Sequence, residues 1–167
     1  MHKLFWHIIP RGNARESFGW GVSTKDFSVP LSQINTKIFG NGNYWLYEGQ
    51  VLEQAALVTY IFDNQSLKRA RVEFQWDKSL LSNRRQVVEK LLNHLRAICG
   101  APVSGDMARY YEQGLVSWIV EDTSLVLGIS TYKIVLNAFP TPRGQPLELD
   151  NDLSGLIDEM AQVFLRK

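Results

Sequence analysis

Residues 56–99 confine this chain more tightly than any other stretch, because they spell out strand, strand and helix in direct succession. Residues 56–62 and 68–76 read as two strands joined by the polar turn Asp63-Asn-Gln-Ser66. In the second run Ala70, Val72, Phe74 and Trp76 share one face, while Arg69, Arg71, Glu73 and Gln75 share the other. A strict period of two predicts a sheet with one packed and one wet face. A helix follows over Ser82 to Cys99. Val87, Val88, Leu91, Leu92, Leu95, Ile98 and Cys99 recur at three- and four-residue spacing and form one apolar stripe. Ser82 is the expected cap at its start and Gly100 at its end, and Pro102 forbids continuation.

The same reading extends along the chain. Residues 1–19 are expected to be a flexible lead-in, polar and glycine-containing over 11–19, and residues 20–167 form a single α+β domain. Ser23 to Asp26 has the spacing of a helix start, cut short by Pro30. Gly40 to Asn43 is a turn, Tyr44 to Glu48 a strand, and Gly49-Gln50 the link to the strand ending at Phe62. Three more strands are predicted over 115–121, 125–129 and 132–139, joined at Asp122-Thr-Ser124 and Ser130-Thr131. After the stiff connector Pro140 to Pro146, a second helix is expected over Asp150 to Lys167, with Leu153, Leu156, Ile157, Met160, Val163 and Phe164 on one stripe. The expected fold is therefore α+β and two-layered, with antiparallel sheet and helices on one face. The element order allows two α-βββ halves, 20–76 against 82–139, plus the C-terminal helix.

Composition excludes several classes. Eighteen basic and seventeen acidic side chains leave a net charge of +1, which gives nucleic-acid binding no bulk support. The basic cluster Lys68, Arg69 and Arg71 reads as a solvated sheet edge guarded by charge, since Phe74 and Trp76 point the other way. The single cysteine, Cys99, precludes an internal disulfide and reads as a small core residue. No apolar run is long enough for a membrane-spanning helix. Residues 1–10 are too short for a signal-peptide core. That implies a cytoplasmic protein if Met1 is the native start, and a periplasmic or envelope protein if an export signal preceded it.

No cofactor fingerprint, Walker loop or nucleophile elbow occurs, and His2, His7 and His94 have no metal-ligand spacing. Glu121 and Asp122 are adjacent acids in a turn, pointing to opposite sides, and are poor partners for acid–base work. The aromatic residues Tyr44, Trp45, Tyr47, Tyr110, Tyr111 and Trp118 make the other candidate surface. Of these, Tyr110 and Tyr111 in the 101–114 loop, with Trp45 and Tyr47, are the expected partner-binding residues.

At Trp20-Gly-Val-Ser23 with Phe27, Tyr60 to Asn64 with Leu67, Cys99-Gly-Ala-Pro102, and Trp118 before Asp122 to Leu127, the chain resembles a group of small bacterial α+β proteins. These are often exported and functionally uncharacterised. The resemblance implies an envelope location and no catalytic residues.

Three functions remain open at this level. The first is a non-catalytic module that binds a protein partner. The second is a carrier of small apolar ligands, with a pocket lined by Trp and Tyr between sheet and helices. The third is a hydrolase using Glu121 or Asp122.

Overall fold

The computed structural model describes residues 20–21, 23–24, 37–105 and 114–141. Within them lie seven strands and one helix: β1 Lys37–Phe39, β2 Tyr44–Val51, β3 Gln54–Asp63, β4 Ser66–Phe74, α1 Leu81–Cys99, β5 Gly114–Val120, β6 Thr123–Ile129 and β7 Ile134–Pro140. The lead-in 1–19, the body of the short helix expected from Ser23, residues 106–113 with Tyr110 and Tyr111, and the expected helix 150–167 lie outside the described residues.

All strands join one sheet, in the order β1-β2-β3-β4-β7-β6-β5, and every pairing is antiparallel. Two meanders are thus sewn together by their last strands, with Ala70 opposite Ala138 and Val72 opposite Leu136. The α+β class and the antiparallel sheet agree with the sequence reading, and α1 precedes the second meander as expected.

On one face, Val58, Tyr60, Val72, Phe74, Trp118, Leu125, Leu127 and Leu136 pack with Val88, Leu91 and Leu95 of α1. The helix stripe predicted from periodicity is this core. Gly100 ends α1 with φ +81°, a conformation that glycine adopts without strain, and its N–H bonds to the Arg96 carbonyl at 2.9 Å. The start differs from expectation. Leu80, not Ser82, holds the cap position and makes no side-chain cap bond. The entry is fixed instead by Asp77, whose Oδ1 accepts from Ser79 N at 3.0 Å and Ser79 Oγ at 2.6 Å. Asn83 Oδ1 accepts from Asp77 N.

The other face corrects the sequence reading more substantially. Arg71 is 2% exposed and Asn137 5%, so the face expected to be wet is buried at its centre. Nor is the Lys68–Arg71 strand a sheet edge: β4 is central, flanked by β3 and β7. Register lays Thr59, Arg71, Asn137, Val126 and Ser117 in one cross-strand row, all buried. Pairing of the two meanders moved these side chains from an edge to the middle, and nothing in the local alternation encodes that step.

Turn positions also shift. Gly49 and Gln50 lie inside β2, and the chain reverses at Leu52-Glu53, both with positive φ. The β3–β4 turn is Asn64-Gln65, again with φ of +50° and +62°. Two-residue turns of this kind match the right-handed twist of the strands they join. Strand β5 turns at Glu121-Asp122, so Thr123 and Ser124 belong to β6.

Candidate functional site

The topology gives the sheet two distinct ends. Gly114 pairs with Ile129, Ile129 with Ile134, and Glu73 with Val135. The start of β5, the β6–β7 turn and the end of β4 therefore share one end of the sheet. The start of α1 joins them, because Arg84 donates from Nε and Nη2 to the Ser130 carbonyl. The opposite end carries the turns Asn64-Gln65 and Glu121-Asp122.

At the β6–β7 end two large apolar side chains stand exposed. Tyr132, at the turn, is 73% exposed, and Leu80, one helical turn before Arg84, is 53% exposed. Trp76 follows β4, packs partly against the core and carries Lys78 Nζ 5.4 Å from its ring centroid. The turn holding Tyr132 is itself fixed: Ser130 N donates to the Lys133 carbonyl at 2.9 Å and Lys133 N to Ser130 Oγ at 3.1 Å.

The described residues that flank 106–113 on either side both belong to the margin of this sheet. Before it, Val103 N donates to the Ser117 carbonyl and Ser117 N to the Ser104 carbonyl, closing the outer edge of β5 at Ser117. Their hydroxyls, Ser104 Oγ and Ser117 Oγ, lie 2.7 Å apart. After it, the chain re-enters the sheet at Gly114, at the β6–β7 end. Val103 and Ile119, on this margin, are 58% and 43% exposed.

The remaining expected aromatics lie elsewhere. Trp45 is half-buried against the core, tilted on Phe62 at 5.7 Å, and its indole N–H donates to the Gly42 carbonyl. Tyr47 lies on β2 opposite Val58. Trp118 is not a surface residue: it is 1% exposed, with Nε1 donating to the Gly100 carbonyl at 3.1 Å. Strand alternation put it in the core with Val116 and Val120. Sequence reasoning missed Tyr132 and Leu80, because a tyrosine in a strand start and a leucine before a helix stripe both look like core.

The groups that could carry chemistry are engaged in structure. Asp122 Oδ1 accepts from Thr123 Oγ1, and its carbonyl accepts from Thr141 N. Trp20 Nε1 donates to Thr123 Oγ1 at 2.8 Å, so this corner is a bonded joint. Burial pushes the Cys99 thiol up to about 11, which keeps it protonated and inert near neutrality. Burial also lowers the pKa of Arg71, with Glu73, whose Oε2 lies 3.4 Å from Nη2, acting in the opposite direction. His94 sits at the rim of α1 as expected, with Nε2 3.4 Å from Glu53 Oε2. No helix among the described residues is long and apolar enough to cross a membrane.

Comparison with known proteins gives little. No protein-family model matches the chain, and no curated protein matches it. A solved structure of a DUF4309 family protein, YjgB from Bacillus subtilis, aligns over 62% of this chain and 68% of that one. The TM-score is 0.33 and the identity 11%, a level of likeness that carries no argument.

Proposed function

We propose that the protein is a non-catalytic interaction module that holds a protein partner at the β6–β7 end of its sheet. The observation that carries this reading is Tyr132, an aromatic side chain 73% exposed on a turn locked by hydrogen bonds. Exposed, pre-positioned tyrosine supplies large contact area at low entropic cost and is a favoured anchor of interfaces. Leu80 stands exposed at the same end, where β5 also begins at Gly114.

The carrier reading has less support. Trp118, Tyr60, Phe74, Leu91 and Leu95 fill the space between sheet and helix and are each under 2% exposed. The hydrolase reading has less still, since Asp122 is bound into the joint with Thr123 and Thr141.

Affinity capture with the purified full chain as bait tests the proposal. The expected result is a specific protein retained by the wild type and lost by Tyr132→Ser and by Tyr110→Ala with Tyr111→Ala, with all variants folded by circular dichroism. Retention by every variant, or no specific protein at all, overturns it.

A further inference from the structure

We infer that residues 150–167 form a second helix that lies across the sheet face opposite α1, which makes the domain three-layered. A single buried row on that face points to it. Leu46, Thr59, Arg71, Asn137, Val126 and Ser117 stand opposite one another from β2 across to β5, and all are buried. Two residues to either side on the same face, burial falls away. Leu57 and Ile61 on β3 and Arg69 and Glu73 on β4 are half-buried, and Ile119 on β5 is exposed. Side chains two residues apart on a strand are about 7 Å apart, and a helix is about 10 Å across. A band of this width is the mark of one rod laid over the strands.

That rod is not α1, because Val88, Leu91 and Leu95 pack with Val58, Val72 and Leu136 on the other face. The other described elements are the strands of the sheet itself. At the outer end of the row Ser104 Oγ meets Ser117 Oγ at 2.7 Å, which leaves the middle to be covered. The burial is that of a single chain, so the cover comes from its own residues within 1–19, 25–36, 106–113 or 142–167.

Length selects among these. Six strands make the row about 24 Å long, at ~4.8 Å per spacing. A helix over 150–167 measures about 27 Å, at ~1.5 Å per residue. The segment 106–113 is too short, 25–36 is interrupted by Pro30, and 1–19 by Pro10. The route is open as well. Thr141 N donates to the Asp122 carbonyl, so the chain leaves β7 about 14 Å along the strand from Asn137. Residues 142–149 extend to about 26 Å, enough to reach either end of the row. Chemistry agrees. The apolar stripe from Leu153 to Phe164 suits Leu46, Val126 and Val135, while the buried residues Ser124 and Gly128 let a helix come close. Arg71 puts a positive charge mid-row, which favours a segment carrying Asp150, Asp152, Asp158 and Glu159 over the apolar run at 4–9 beside Lys3.

Photo-crosslinking in the full chain tests this, with p-benzoylphenylalanine at one position at a time and each variant checked for folding by circular dichroism. In place of Met160 or Phe164, on the stripe, it is expected to link to peptides that carry the row, 44–48, 57–61, 69–73, 115–119, 124–128 or 135–139. In place of Asp158, on the opposite side of the helix, it should link to none of them. Phe139 is half-buried at the border of the row, and a probe there leaves 150–167 unaltered. It is expected to link into 150–167.

Links from Met160 and Phe164 to α1, links from Phe139 to residues 1–36 or 106–113, or no intramolecular link from either side would overturn the inference. So would linking between two chains, which makes a second copy the cover. None of these outcomes bears on the interaction reading, because Tyr132 and Leu80 lie outside the row.

Discussion

Arg84 donates from both Nε and Nη2 to one acceptor, the backbone carbonyl of Ser130, at 3.2 and 2.7 Å. The guanidinium is mostly buried, so this one side chain clamps the first turn of α1 onto the β6–β7 turn that carries Tyr132. Arg84→Met keeps the apolar stem and removes the donors. Charged hydrogen bonds of this kind contribute about 1.5–3 kcal/mol, and a loss of that order is expected in urea unfolding. Arg84→Lys should fall between, because an ammonium cannot reproduce the fork.

The indole of Trp118 ties the exit of α1 to β5 through the Gly100 carbonyl. Trp118→Phe removes that bond and leaves a void in a core that is otherwise filled, with an expected cost of about 2 kcal/mol. Trp118→Ala should cost about 3–5 kcal/mol. Thermal unfolding of both variants checks the order.

Gln65 holds φ at +62° in the turn that closes β3 on β4, a conformation costing a non-glycine residue about 1 kcal/mol. Gln65→Gly creates Asn-Gly at a two-residue hairpin turn, the pairing that such turns favour. The backbone bond from Thr24 N to the residue-65 carbonyl survives the change. The expected result is a gain of about 1 kcal/mol in denaturant unfolding.

The Cys99 thiol, raised to about 11 by burial, should react with a thiol reagent far more slowly at pH 8 than an unfolded control does. The folded pKa lies above the unfolded one, near 9.0, so the folded state favours the protonated thiol. That contribution to stability is fully present below pH 9 and is lost as the pH rises towards 11. Cys99→Ala should flatten this part of the stability profile.

Local elements were legible in the sequence because local rules determine them. The period of three and four over Val87 to Cys99 is the face that meets the sheet, and Gly100 closes the helix where its φ requires glycine. Alternation in β4 correctly separates Ala70, Val72 and Phe74 from Arg71 and Glu73. What alternation lacks is the third dimension. The central place of β4 follows from its pairing with β7, which joins residues 62–68 positions apart in sequence, and no local pattern announces that partnership or the burial of Arg71 and Asn137. The candidate site was only partly legible for the same reason. Tyr132, Leu80, Lys78 and the return at Gly114 share an end of the sheet through register. Trp45 and Trp118, conspicuous as letters, are absorbed by packing.

The most direct measurement is hydrogen exchange of the protein alone and in complex with its captured partner. Slowed exchange at residues 76–80, 106–114 and 130–133, with the turns at 63–66 and 121–122 unchanged, is the expected footprint. Protection confined to those two turns, or to β1 and β2, would contradict an interaction site at the β6–β7 end.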